Sequence, residues 1–250
     1  MLAGDWLGMV VKPCGMYAIF FAALILVMRE TAPASLDGPT RMYWATSAVS
    51  LIHGVVISYL AWHAMTPFWT SFDLHLVTPE SIRCQQFYLG YVTADLVPLF
   101  WHRRQWPGTT AYLGHHIVSL LCWGLLLARG ELHGFGAGLL ILEATAPFTN
   151  GRWFLHTLGR KDTTFYVVNG VCMALSFFAL RIVYAGWLVM RYAIGQGALV
   201  SGLPLSTRVV SFGGFAFGYG LQFFWFRKIV QGMIKALGGG SGKKGAKKRA

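Results

Sequence analysis

Long runs of apolar residues, each near twenty positions, alternate along this chain with short polar connections. They fall at Met9 to Met28, Met42 to Met65, Cys84 to Trp101, Thr109 to Ala128, Gly134 to Asn150, Thr164 to Tyr192 and Leu205 to Phe226. A bilayer core about 30 Å thick takes roughly 20 helical residues, so the pattern predicts a polytopic all-α membrane protein of about seven transmembrane helices. The runs lack the strict apolar/polar alternation of lipid-facing β-strands, and a helix satisfies its backbone hydrogen bonds within the segment. The fifth run is short, and is expected to tilt little or to lie partly inside the bundle. Thr31-Ala32-Pro33-Ala34 offers small residues after the first run, as a signal-peptide cleavage site would. That run ends in Arg29-Glu30 and has a long polar flank, so it is read as an uncleaved span.

Composition agrees with the pattern. Of 250 residues, 55% are hydrophobic and only 12% charged, against about 25% charged in soluble domains; mean hydropathy is +0.52. The net charge of +12 would suggest nucleic acid in a soluble protein, but its distribution gives another meaning. With seven spans, 15 of the 21 Lys and Arg residues fall on one side, including Arg41, Arg103, Arg104, Arg152, Arg160, Lys161, Arg227, Lys228 and the tail. The positive-inside rule assigns that side, and the C-terminus, to the cytosol, so no nucleic-acid partner is expected. Cys14, Cys84, Cys122 and Cys172 form no C-x-x-C pair and read as packing residues. The Gly-rich tail from 238 ends Lys247-Lys248-Arg249-Ala250. Lysines third and fourth from the terminus are the pattern by which coat proteins retrieve endoplasmic reticulum membrane proteins, a receptor-read address.

Ionisable groups inside apolar spans cost about 2.5 to 3.5 kcal/mol each on insertion scales, so each is a functional candidate. Asp95 lies in the third run, His115 and His116 in the fourth, Glu143 in the fifth, Asn169 and Arg181 in the sixth, and Gln222 in the seventh. At about 1.5 Å per helical residue, Asp95, His115, Glu143 and Asn169 lie roughly 8 to 10 Å from the same, cytosolic, ends of their helices. A common depth predicts one pocket opening toward the cytosol. Adjacent histidines point about 100° apart on a helix, so one is expected to face the pocket as nucleophile or general base. Asp95 or Glu143 would fix its tautomer while the other histidine packs behind. Arg181 is deep enough to need a partner, with Glu143 the candidate, whereas Arg191 sits near a span end and can snorkel. The eight histidines form no H-x-x-H-H or H-x-x-x-H box, so no metal centre is expected.

The ordered motifs Gly90-Tyr91-x-x-x-Asp95-Leu96, His115-His116, Glu143-x-x-x-Pro147-Phe148-x-Asn150-x-Arg152-Trp153, Asn169-Gly170, Phe177-Phe178-x-x-Arg181-Ile182 and Trp225-Phe226-x-Lys228-Ile229-x-x-Gly232 together resemble the TLC-domain family. That family includes the ceramide synthases and many smaller TLC domain-containing proteins. The resemblance implies a six-helix barrel around a membrane-embedded cavity over 41–237, preceded by one helix in 1–40 and followed by a flexible basic cytosolic tail over 238–250. It implies residence in the endoplasmic reticulum, and puts His115 and His116 where ceramide synthases transfer a fatty acyl group from acyl-CoA to an amine. In those enzymes a His-Asp-x-Ser-Asp segment follows one helix later. Here that region reads Leu140-Ile-Leu-Glu143-Ala-Thr-Ala-Pro147, which makes the smaller, lipid-homeostasis members the nearer likeness.

The expectation is therefore a protein of membrane lipid metabolism: an acyl-CoA-dependent lipid acyltransferase, or a non-catalytic protein that binds lipids and regulates membrane composition. His115, His116, Asp95 and Glu143 are the catalytic candidates, and Asn150, Arg152, Asn169, Arg181 and Gln222 the substrate-binding ones. No cofactor is expected beyond acyl-CoA as co-substrate, whose phosphates would dock on Arg103, Arg104, Arg152, Arg160 or Lys161.

Overall fold

The computed structural model describes residues 7–71 and 73–238, all helix and connecting turns. Lys247 and Lys248 and nearly all of the expected tail lie outside the described residues. A π-turn over Leu7–Val11 leads into α1 (Lys12–Glu30), followed by α2 (Gly38–Met65), α3 (Pro79–Trp101) and α4 (Thr109–Arg129). The next rod joins α5 (His133–Leu140), a 3-10 segment (Ile141–Thr145) and α6 (Ala146–Thr157). Then come α7 (Thr164–Ser176), a π-helical stretch (Phe177–Tyr184), α8 (Ala185–Val189), a second π-stretch (Met190–Ile194), the short α9 (Gly197–Ser201) and α10 (Leu205–Gly238).

Local chemistry sets the helix ends. Asp37 accepts the Thr40 N–H at 2.9 Å and precedes Pro39 in the first turn of α2. Thr78 and Ser81 form a reciprocal capping box that starts α3 at Pro79. Gly130, at φ 65°, terminates α4 in the left-handed region, which costs glycine least.

Among the described residues, five rods are long and apolar enough to cross a membrane: Lys12–Glu30, Gly38–Phe68, Thr109–Arg129, Thr164–Ile194 and Leu205–Lys235. Seven were predicted. The third run, Cys84 to Trp101 within α3, is diluted by Gln85, Gln86 and Asp95, and the fifth is divided by its 3-10 segment. The seventh run overshoots its predicted end at Phe226: α10 continues to Gly238, the first residue of the expected tail.

Neighbour relations close a ring: α2 against α3, α3 against α4, α4 against α10, α10 against α7 and the π-stretch, α7 against α6, and α6 back to α2. Helix α1 packs outside this ring on α2 and α3. The Cβ of a residue at 90 would collide with Tyr17, so Gly90 is what lets α1 and α3 meet at backbone distance. Helix α5 turns inward, touching α2, α3, α4 and α8. His133, Gly134, Phe135, Gly136, Ala137, Gly138 and Leu140 are all buried. It fills the ring at the end opposite the basic loops. The other end, here the basic face, keeps its interior open.

Candidate functional site

The open end holds a chamber of about 390 Å³. Its α2 and α6 walls are rich in hydroxyls and amide, with Thr46, Ser47 and Ser50 on the first and Thr149 and Asn150 on the second. Across from them stand Asp95 and Tyr91 of α3 and Tyr112, His115 and His116 of α4. Tyr43, Trp106, Trp153, Trp225 and Lys228 lie toward the mouth. A narrower cavity of about 70 Å³ continues from the chamber toward the plug. It is walled by Val118, Cys122 and Leu126 of α4, Phe135 and Leu139 of α5, and Gly214, Phe215 and Gly218 of α10. Tyr88, His115, Glu143 and Arg181 line both spaces and form the partition between them.

The two histidines separate cleanly by their hydrogen bonds. His116 directs Nδ1 at the Tyr112 carbonyl, 3.0 Å away, and Nε2 at Asp95 Oδ2, also 3.0 Å away. A carbonyl only accepts, so Nδ1 carries a proton. An ionised carboxylate also only accepts, so one further proton sits between Nε2 and Oδ2. Both ring nitrogens of His116 are thereby engaged, and none is left for a substrate. His115 meets His116 and Trp225 edge-on, with ring centroids 5.8 Å apart in each case. Its nitrogens have no hydrogen-bond partner among the described residues, and the residue lines both cavities. Sequence left open which histidine faces the pocket; the geometry gives the free imidazole to His115 and the carboxylate-bound one to His116.

Glu143 corrects one expectation. It does not orient an imidazole: its Oε1 accepts from Arg181 Nη2 at 3.2 Å. Arg181 also donates through Nε to Thr145 Oγ1 at 2.7 Å and through Nη1 to Gln222 Oε1 at 3.4 Å. Two departures from α-helical geometry bring these groups together. Arg181 lies in the π-helical stretch and Glu143 and Thr145 in the 3-10 segment, the irregular turns commonly found at functional sites. Gly54 of α2 permits the approach, since a Cβ there would stand 2.6 Å from Ala146 Cβ and 2.8 Å from the Glu143 carbonyl oxygen.

Of the other predicted binding residues, Asn150 lines the chamber, donating to Ser50 Oγ at 3.1 Å and to the Ala146 carbonyl at 3.0 Å. Gln222 lines the narrow cavity. Arg152 and Asn169 line neither. Arg152 donates to the Tyr166 carbonyl at 3.1 Å and lies 4.0 Å over that ring, and Asn169 donates to the Phe148 carbonyl at 2.9 Å. Both join α6 to α7. Arg103, Arg104, Arg160 and Lys161, expected to meet CoA phosphates, also lie off the chamber wall, whereas Lys228 is on it. Arg191 donates to the Phe68 and Trp69 carbonyls, each at 2.9 Å, near the far face as its place in the span suggested.

Sequence reading passed over the hydroxyl wall, Tyr43, Tyr88, Tyr91, Thr145 and Lys228. A signal was present for the wall: Thr46-Ser47-x-x-Ser50 sets small polar residues on one helical face within an apolar run, and Thr145 stands four positions before Thr149.

Residues 43–231 match the family model described as TLC domain. The chain is 30% identical over 209 residues to TLC domain-containing protein 4-B of Danio rerio, covering 78% of this chain and 75% of that one. It is 28% identical over 223 residues to TLC domain-containing protein 4 of Homo sapiens, covering 81% and 78%. It is 22% identical over 242 residues to TLC domain-containing protein 4 A of Dictyostelium discoideum, covering 95% and 92%. No solved structure matches.

Proposed function

The chain belongs to the TLC-domain family, and from that premise we propose that it transfers a fatty acyl group from a CoA thioester to a membrane lipid, with His115 as the base at the reacting centre. One observation carries the reading. An imidazole without a hydrogen-bond partner among the described residues stands at the junction of a polar chamber and an apolar slot. Acyl transfer to a lipid needs these three things together: room for a head group, a sleeve for a chain, and a base between them.

In this mechanism neutral His115 takes the proton from the hydroxyl or amine of the acceptor lipid. The acceptor oxygen or nitrogen bonds to the thioester carbonyl carbon, the carbon–sulfur bond breaks, and the CoA thiolate leaves with the proton that His115 returns. The His116–Asp95 pair stands edge-on beside the base and packs its ring in place. The Arg181–Glu143–Gln222 set contributes a charge-balanced floor. The same reading makes the basic face cytosolic and the protein resident in the endoplasmic reticulum membrane, with Lys247 and Lys248 read by coat proteins.

Purified protein given labelled acyl-CoA and a mixture of lipid acceptors tests this. Turnover is expected in the native chain, with a loss of about 10²- to 10⁴-fold in His115→Ala. Turnover that survives in His115→Ala sinks the mechanism.

A second reading, a protein that holds or senses a phospholipid without turnover, is favoured by the absence of Arg103, Arg104, Arg152, Arg160 and Lys161 from the lining of either cavity. It gains if the native chain copurifies with phospholipid and transfers nothing.

A further inference from the structure

The narrow cavity has a defined inlet, wall and end. Along α10 its lining runs from Gln222 through Gly218 and Gly214 to Ser211, a length of about 16 Å at 1.5 Å per residue. Gln222 marks the inlet, since it receives Arg181 of the partition. Between α4 and α10 the side wall is shut. A Cβ at 214 would collide with Cys122 Sγ, and Cys122 itself donates to the Val210 carbonyl at 3.2 Å. The plug helix closes the remaining side with Phe135 and Leu139.

Two residues on this face differ from an ordinary packed helix. At Gly218 a Cβ would meet nothing within 4 Å, so a larger side chain there would project into the slot without moving backbone. Ser211 is 3% exposed, lines the slot, and has a hydroxyl with no hydrogen-bond partner among the described residues. An unmatched polar group in such a place is costly unless a ligand group meets it.

We propose that α10 measures a single acyl chain: Gly218 is the specificity-determining passage, and Ser211 is a polar stop that accommodates a chain whose far end bears oxygen. The inference rests on the acyl-lipid reading above, and it needs the chain to be bound, whether or not it is transferred. A chain entering past Gln222 has about 6 Å before Gly218 and about 10 Å beyond it. A side chain at 218 closes the inner part and leaves the outer.

The test compares Gly218→Leu with Gly213→Leu. Gly213 is an exposed position on α10 where a Cβ also meets nothing within 4 Å, so the pair matches in helix propensity and differs in which space the leucine enters. Two readouts are taken on full-length protein in phospholipid nanodiscs: turnover of a ladder of acyl-CoA donors of increasing chain length, and mass spectrometry of the acyl lipids that copurify. In Gly218→Leu the long-to-short ratio is expected to fall by about tenfold or more, because each methylene a pocket cannot seat changes discrimination by about that factor. Gly213→Leu is expected to keep the native ratio.

A Gly218→Leu protein that melts like the native one and keeps the native chain profile overturns the inference. So does native protein that binds no acyl lipid of any length. If nothing turns over but the copurified chains shorten in Gly218→Leu alone, the ruler stands and the transferase reading falls. For the stop, ω-hydroxy and plain donors of one length are compared. The native chain should favour the ω-hydroxy form by about tenfold, and Ser211→Ala should abolish the preference. An unchanged preference in Ser211→Ala overturns the stop.

Discussion

The two ends of the ring solve the same geometric problem in opposite ways. Six rods in a ring enclose more space than their side chains alone fill. At the end away from the basic loops the chain inserts α5, and its glycines let ring side chains rest on its backbone. A Cβ at Gly136 would stand 2.8 Å from Leu126 Cδ1, and one at Gly138 would stand 2.8 Å from Leu188 Cδ2. At the basic end nothing is inserted, and the walls are hydroxyls, amide, imidazole and carboxylate around about 390 Å³. Dense packing is thus spent on closing one end, and polar side chains that would be costly against lipid are kept where a chamber can hydrate or bind them. The Arg181 cluster stands on the boundary.

Breaking that boundary is expected to have the largest effect. Arg181→Ala leaves Glu143, Thr145 and Gln222 without their shared donor, and removing one partner of a buried ion pair costs about 3 to 5 kcal/mol. Thermal unfolding in detergent should register this as a large fall in Tm. The double variant Arg181→Met/Glu143→Leu should recover most of it, because no charge is stranded, while turnover stays lost. If Arg181→Ala melts like the native chain, the floor is not a structural boundary.

Packing substitutions sharpen the comparison at a smaller scale. Gly54→Ala drives a methyl group against Ala146 Cβ and the Glu143 carbonyl, neither of which can swing aside. Overpacking of this kind costs about 1 to 3 kcal/mol, and turnover should fall with it because the Glu143 segment moves. Gly138→Ala meets only the ends of the Leu188 side chain and the Tyr184 hydroxyl, so it should cost less in Tm and leave turnover near native. A reversed order would mean that the plug, and not the α2 contact, sets the position of the floor.

Much of this contrast was legible in the residues. Asp95, His115, His116, Glu143 and Arg181 were picked out because ionisable groups in apolar runs must be accounted for, and all five line the chamber. The Arg181–Glu143 pair was legible too, whereas which histidine a carboxylate holds was not. Depth along a helix axis can be counted from sequence, but the direction a side chain points depends on turns that are not α-helical. The π-stretch around Arg181 and the 3-10 segment holding Glu143 set how this expected pair meets and add Thr145 to it, which regular 3.6-residue spacing does not describe. Arg152 and Asn169 share the family motifs but serve the α6–α7 contact, since either role satisfies a polar group near the membrane surface. The inward turn of α5 was hinted at by the short fifth run; its Gly-x-Gly-x-Gly register is what backbone-level packing requires.

The histidine division predicts an intermediate effect. Asn at position 95 can still meet His116 Nε2 through its amide, so Asp95→Asn should lower stability by only about 1 kcal/mol. It removes the carboxylate charge paired with His116, the neighbour of the base, so the pH profile of turnover should move while the fold persists. A variant with native turnover at every pH would reduce Asp95 to packing.

The smallest effect is expected at the rim of the open end, outside the membrane, where Asp37 starts the helix that carries the hydroxyl wall. The Thr40 hydroxyl, and then the Thr40 N–H, hold the exposed Asp37 carboxyl below its ordinary range. A carboxyl whose folded value is depressed contributes stability above its unfolded value, about 3.9, and loses that contribution as pH falls through the lower folded value. The native chain should therefore melt slightly above Asp37→Ala at neutral pH, with the gap closing as the solution is acidified below about pH 4. Because Asp37 is exposed, added salt and solvent screen the effect, and the gap should stay well below that of Gly54→Ala. A gap that persists unchanged into acid would assign the capping to the backbone turn of Gly38 and Pro39 in place of the carboxylate.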